Sequence, residues 1–251
     1  MREGLENSVA LVTGSSRGIG ASTARELADC GAHVAVNYRQ SADAADSVAA
    51  DVRDRGSEAI TVQADVTDPD AVTDMVDTIE AELGTVDVLV NNANLPYEKK
   101  PIAELRWAEF EQKLTDELGA AFTVSKAVLP GMVEQEGGRL VYVSSELSRR
   151  PQARMSAHGT AKAGLNSFAR YVALEYGEYG IAANVVSPAL TETDATAEYV
   201  DRVREEVSAE TPLGRVPQPE DVAKTITAFA ADAAQFASGT YTPVNGGLLM
   251  E

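Results

Sequence analysis

One alternation, repeated from end to end, limits what this 251-residue chain can fold into. A short, almost wholly apolar run leads into a helical stretch of ten or more residues, and a glycine often closes the unit. Ser8–Val12, His33–Asn37, Ala59–Gln63, Val86–Val90, Arg139–Val143, Ala182–Val186 and Thr240–Val244 read as strands. Helical patterns fill the intervals up to Cys30, Arg55, Leu83 and Glu136, then from Ser156 to Gly177, and again from Gln218-Pro219-Glu220. Gly31, able to take a left-handed conformation, stops the first helix, and Asp68-Pro69 starts the third with an N-cap and a first-turn proline. Strands apolar on both faces must be covered on both, which parallel strands joined by helices achieve. The expectation is an α/β fold: a single-domain, Rossmann-type doubly wound parallel sheet of about seven strands over residues 1–251, helices on both faces.

Composition excludes some functions and names none. A formal charge of −18 argues against nucleic-acid partners and acidic membranes. No run approaches the roughly 18 apolar residues of a membrane span, and the start MREGLENS lacks a leader's apolar core. The single Cys30 rules out an internal disulfide and fits a reducing cytoplasm. No metal site is expected.

The first turn, TGSSRGIG, puts Gly14, Gly18 and Gly20 between a strand and a helix, with Ser15, Ser16, Arg17 and Ile19 among them. Glycines there permit a tight turn and close approach of a pyrophosphate, and the helix start beyond offers free N–H groups. The second strand ends in Asn37, Tyr38 and Arg39, where NAD binders usually present a carboxylate to the ribose. With no carboxylate to repel a 2′-phosphate, and Arg17 and Arg39 available to hold it, NADP(H) is favoured over NAD(H). Arg39 as a plain solvated loop residue is the alternative.

A second stretch, Arg139–Lys162, brings together a hydroxyl at Ser145, an imidazole at His158 and an amine at Lys162, the last two on one helix face. Such a set can handle protons.

With these motifs the whole chain resembles a short-chain dehydrogenase/reductase of the compact bacterial type, near 3-oxoacyl reductases and glucose dehydrogenases. The resemblance rests on TGSSRGIG at 13–20, ADVTDP at 64–69, DVLVNNA at 87–93, GRLVYVSS at 138–145, AKAGL at 161–165, NVVSPALTET at 184–193 and VNGG at 244–247. It implies that Asp65 and Val66 border the adenine, that Asn91, Asn92 and Ala93 line the adenosine ribose, and that Pro188, Thr191 and Thr193 lie at the nicotinamide end. It also implies a catalytic Ser145, a Lys162 that holds the nicotinamide ribose, and homo-dimers or homo-tetramers built on the two long helices. The family's YxxxK, however, is here His158-Gly159-Thr160-Ala161-Lys162, and Glu117 stands where its helical Asn belongs. Asn94 and Ala189 also depart from the family pattern. All four departures fall at the nicotinamide end.

Three readings stay open at this point. In the first, the chain is an NADP(H)-dependent carbonyl reductase or alcohol dehydrogenase with His158 as acid/base, tuned downward by Lys162 and upward by Glu117. If His158⁺ gives the proton, reduction falls as pH rises through its pKa. Imidazole is shorter than phenol by roughly 2–3 Å, so a water or a deeper substrate pose would bridge the gap. In the second, His158 and Glu117 run a non-redox reaction: a dehydratase, isomerase or cyclase. In the third, the chain binds nucleotide and is catalytically silent, and Glu117 simply pairs with Lys162.

The substrate would be a small carbonyl or alcohol. Lys99, Lys100, Arg149, Arg150 and Arg154 leave the ligand-binding edge of the sheet and hint at an anion, or are ordinary solvated loops. Glu136 and Tyr179, where carrier-protein reductases place basic docking residues, argue against that partner. Residues 195–213 are expected to form a mobile flap over the substrate, and His33 is read as structural.

Overall fold

The computed structural model describes residues 4–249. Met1–Glu3, part of the stretch read for a leader, and the last two residues of the expected domain lie outside them. Seven strands form one sheet: β1 (Val9–Val12), β2 (His33–Tyr38), β3 (Ala59–Gln63), β4 (Val88–Asn91), β5 (Gly138–Val143), β6 (Ile181–Pro188) and β7 (Tyr241–Val244). Every pair is parallel, in the order β3-β2-β1-β4-β5-β6-β7. The helices are α1 (Gly18–Ala28), α2 (Ala42–Asp54), α3 (Pro69–Glu82), α4 (Trp107–Glu134), α5 (Ser156–Tyr176), α6 (Ala197–Glu210) and α7 (Pro219–Ala230).

Because successive strand residues face opposite ways, β1 feeds two cores. Val9 and Leu11 pack beneath α3, α4 and α5 with Val72, Ile79, Val124 and Leu165. Ala10 and Val12 pack on the other side with α1, α2 and α7, through Leu27, Val48 and Ile226. This double burial is why the strands are continuous apolar runs. The punctuation works as expected: Gly31 takes φ +89°, and the Asp68 carboxylate accepts from the N–H groups of Asp70 and Ala71 at 3.0 and 3.4 Å. His33 Nδ1 accepts the Glu58 N–H at 2.9 Å, a structural role.

The chain reverses its walk across the sheet between β1 and β4, the switch point where open parallel sheets bind ligands. Register puts Val12 level with Val36 and Val90, so the loops after β1, β2 and β4 leave side by side. Among the described residues no helix is long and apolar enough to cross a membrane.

Candidate active site

These loops surround a cavity of about 750 Å³ that runs along the sheet's C-terminal edge. Its phosphate end is held by hydrogen bonds between loops. Thr13 Oγ1 accepts the N–H groups of Asn92 and Ala93 at 2.9 and 3.0 Å, and Asn92 Nδ2 donates to the carbonyls of Thr13 and Gly14 at 2.9 and 3.2 Å. Gly14 has φ +61°, and a Cβ there would sit 2.9 Å from Ala93 Cα. A Cβ on Gly20 would meet Asn92 Nδ2 at 2.5 Å and the Gly14 carbonyl at 2.7 Å. Gly14, Ser16, Arg17, Gly18 and Ile19 line the cavity. Ser15 is buried instead, its Oγ donating to the Val12 carbonyl at 2.7 Å. No side chain caps the start of α1, and Gly18 and Ile19 of its first turn line the cavity, which leaves the helix's positive dipole end uncompensated there. That suits a pyrophosphate.

At the adenosine end the structure changes the part played by Asn37. The residue is buried: its Oδ1 accepts the Gly14 N–H at 3.1 Å and its amide donates to the Val62 and Ala64 carbonyls at 3.3 Å. It braces the glycine turn rather than offering a free side chain. Tyr38, Arg39, Asp65 and Val66 line the cavity. Arg39 Nη1 lies 3.5 Å from Asp65 Oδ2, a loose, half-exposed pair that leaves the guanidinium available. Asn91 is buried and off the cavity wall, whereas Asn92 and Ala93 are on it.

At the other end, Ser145 follows β5 and its Oγ accepts the Leu147 N–H at 3.3 Å. Helix α5 presents His158 and Lys162 on one buried face. Lys162 Nζ donates to the Val143 carbonyl at 2.7 Å and pairs with Glu117 Oε1 at 2.6 Å, which leaves one ammonium hydrogen for a ligand. Pro188, Thr191 and Thr193 line the wall opposite.

Glu117 is held between two ammonium groups. Its second oxygen lies 2.5 Å from Lys113 Nζ, which also donates to the Leu95 carbonyl at 2.7 Å, and all three side chains are at least 95 % buried. Burial alone would raise the Glu117 carboxyl, but Lys162 and Lys113 hold it at about 2. Burial pushes Lys113 down, and Glu117 partly offsets this.

His158 stacks on Tyr97, with ring centroids 4.4 Å apart and planes 15° from parallel. Burial, reinforced by the positive Lys162 and Lys113, brings the imidazole down from 6.5 to about 3. The expected upward pull of Glu117 is outweighed because two lysines already claim that carboxylate. His158 is therefore neutral at physiological pH, and the imidazolium donor expected from the sequence is absent there. Its Nδ1 is buried without a partner. An unpaired acceptor is easier to bury than an unpaired N–H, which assigns the proton to Nε2.

The substrate end differs from expectation in its charges. Of the five basic loop residues only Lys99 and Arg150 line the cavity. Lys100 pairs with Glu109 at 2.7 Å, Arg149 lies 3.7 Å over the Tyr241 ring, and Arg154 Nε donates to the Lys99 carbonyl at 3.2 Å. The 195–213 stretch supplies α6, whose Tyr199, Val203, Glu206, Val207 and Glu210 form the far wall.

Three cavity-end residues escaped sequence reading: Lys113, Tyr97 and Glu146. Lys113 did leave a signal, since a lysine four residues before Glu117 stands on the apolar stripe of α4. Glu146 lines the cavity beside Ser145 with Oε2 buried and unpartnered, and burial raises its carboxyl despite nearby Arg150. A carboxyl whose folded pKa exceeds its unfolded value costs stability once pH passes the unfolded pKa of about 4.3. Glu146→Gln is therefore expected to melt higher than the parent at pH 8, with the gap closing below about pH 4. Thermal denaturation at the two pH values decides it, and a gap independent of pH would contradict it.

Comparison with known proteins agrees with this architecture. Residues 14–249 match the family described as Enoyl-(Acyl carrier protein) reductase. The chain is 39% identical over 247 residues to cis-4-hydroxycyclohexanecarboxylate dehydrogenase of Sinomonas cyclohexanicum, covering 98% of each chain. It is 35% identical to the 3-oxoacyl-acyl-carrier-protein reductase FabG of Pseudomonas aeruginosa, covering 98% of this chain and 99% of that one. The crystal structure of a gluconate 5-dehydrogenase from Burkholderia cenocepacia, in complex with NADP and tartrate, superposes with a TM-score of 0.91 at 29% identity, covering 98% and 97% of the two chains. The protein belongs to the short-chain dehydrogenase/reductase family of oxidoreductases.

Proposed function

We propose that the protein is an NADP(H)-dependent carbonyl reductase, or in reverse an alcohol dehydrogenase, acting on a small anionic substrate. The observation that carries this reading is one continuous cavity joining the uncapped glycine turn to Ser145, His158 and Lys162. A bound nicotinamide supplies or accepts the hydride. Lys162 uses its remaining N–H to hold the nicotinamide ribose. Ser145 Oγ and the Nε2–H of neutral His158 hydrogen-bond the substrate oxygen and stabilise charge developing there. Lys99 and Arg150 receive the anionic group, and α6 serves as the flap. Arg17 and Arg39 take the 2′-phosphate, with no carboxylate among residues 37–41 to oppose it.

A lyase or isomerase using His158 with Glu117 finds no support, because both Glu117 oxygens are engaged by lysines and the residue does not line the cavity. The proposed assembly is a cytoplasmic homo-dimer or homo-tetramer. Phe122 and Lys126 on α4, and Tyr171 and Leu174 on α5, lie on or beside the long-helix surfaces it would use, and Phe122, Tyr171 and Leu174 are exposed.

Fluorescence titration is expected to show NADPH bound at least about tenfold more tightly than NADH, roughly 1.4 kcal/mol, with Arg39→Asp reversing the order. Incubation with a panel of small keto acids should then consume NADPH. Equal affinity for the two cofactors would remove the NADP assignment, and an inert panel would remove the reductase reading.

A further inference from the structure

Reduction of a carbonyl places a proton as well as a hydride, and the obvious donors in this cavity are spent. His158 is neutral at physiological pH. Lys162 is held by the Val143 carbonyl and by Glu117, and the same carboxylate holds Lys113. The Ser145 hydroxyl is far too weak an acid to give up its proton unaided. Among the described residues two phenols line this end, Tyr199 on the far wall and Tyr97 against His158.

Tyr97, from the loop after β4, lines the cavity and lies face to face on His158, with ring centroids 4.4 Å apart. No hydrogen bond to its hydroxyl is found among the described residues. Two ammonium groups flank its ring: Lys113 Nζ, from α4, is 5.3 Å from the centroid and Lys99 Nζ, from the same loop, is 5.8 Å away. A phenol carries its O–H beyond its own ring, so the stack on His158 brings a second proton donor to the same end of the cavity as the imidazole.

We propose that Tyr97 is the catalytic proton donor to the substrate oxygen in reduction and the acceptor in oxidation, with His158 as the platform that positions its ring. This inference rests on the reductase reading above. In the reducing direction the hydride forms the new C–H bond and the C=O π pair moves to oxygen. The Tyr97 O–H bond breaks as the substrate O–H bond forms, the reduced nicotinamide is oxidised, and the phenolate regains a proton from water. Lys99 and Lys113 Nζ stand 5.8 and 5.3 Å from the centroid of the ring that would carry the phenolate charge. Burial raises the phenol above its ordinary value of 10, so the donor stays loaded at neutral pH. The groups facing it are Lys99 from its own loop, Lys113 from α4 and His158 from α5, with Glu117 and Lys162 behind Lys113.

The test is Tyr97→Phe in the full chain, which keeps the ring and its stack and removes only the hydroxyl. NADPH affinity by fluorescence should match the parent, while kcat for a reduced keto acid falls at least about 100-fold and KM changes little, the size expected of a lost general acid. A second reading does not depend on turnover. When NADP⁺ binds, its positively charged nicotinamide ring would lie at this end of the cavity, so the parent should show phenolate absorbance in the difference spectrum at lower pH than the free protein. The Phe variant should lack that transition. A parent that reduces a carbonyl alongside a Phe variant within about threefold of its kcat overturns this inference and leaves the reductase reading intact, because general-acid losses are far larger. A parent that binds NADPH yet reduces nothing overturns both.

Discussion

Glu117→Asn, with Lys113 left in place, is expected to cost the fold about 3–5 kcal/mol, the usual penalty for stripping one partner from a buried ion pair. The size follows from the arrangement. Lys113, Glu117 and Lys162 are nearly sealed from water, and two ammonium groups share one carboxylate at 2.5 and 2.6 Å. An amide there can still accept a hydrogen bond, but two positive charges then face each other in a poorly solvated space. Urea unfolding at pH 7 measures the loss. Adding Lys113→Leu should recover part of it, because the Leu95 carbonyl then loses its hydrogen bond from Lys113, worth about 1–3 kcal/mol when its partner is left unpaired. A single variant within about 1 kcal/mol of the parent would show that the triad is better solvated than its burial implies. The series also bears on activity. Converting the site to the family pattern by His158→Tyr with Glu117→Asn strands Lys113, so the restoration needs Lys113→Leu as a third change.

The contrast between Glu117 and its partners shows where sequence reading stops. Strands were legible because burial on both faces leaves a continuous apolar run, as in Ile181–Pro188, where all eight residues are buried. The glycine turn was legible because the clash met by a Cβ on Gly14 or Gly20 permits no other residue type. Lys162 and Ser145 were legible through motifs. The environment of each group was not. Nothing local in the sequence distinguishes Asn37 as a ribose contact from Asn37 as a brace, since the outcome depends on carbonyls at Val62 and Ala64. Lys99 and Arg150 line the cavity, Arg150 with Glu210 3.7 Å away, while Lys100, Arg149 and Arg154 lie off it with other partners, and charge counting along a loop cannot separate them. Tyr97 reaches His158 across 61 residues of sequence, by loop geometry that no periodicity encodes. Residue types at turns and strands follow from local sterics, whereas electrostatics belong to the assembled site.

His158 gives the second large effect, and its sign follows from linkage. The native imidazole has its pKa lowered to about 3, from 6.5. Below pH 6.5 the unfolded chain takes up a proton that the native state refuses, so stability falls as pH falls, until the native imidazole also titrates near 3. Each pH unit in that window removes up to about 1.4 kcal/mol, so His158 alone should cost about 2 kcal/mol between pH 6.5 and 4.5. The triad acts in a lower window: the Glu117 carboxyl, lowered to about 2, gives up its contribution only as pH drops below its unfolded value of about 4.3. Measuring urea unfolding at pH 7 and pH 4.5 therefore isolates the histidine. His158→Phe keeps a ring against Tyr97 and cannot titrate, so any packing change enters equally at both pH values and cancels in the difference. The variant should lose about 2 kcal/mol less than the parent on acidification. Parallel losses would mean that the native imidazole protonates as readily as the unfolded one. An imidazolium would then be available in the cavity near neutral pH, and the proton expected of Tyr97 could come from His158 instead.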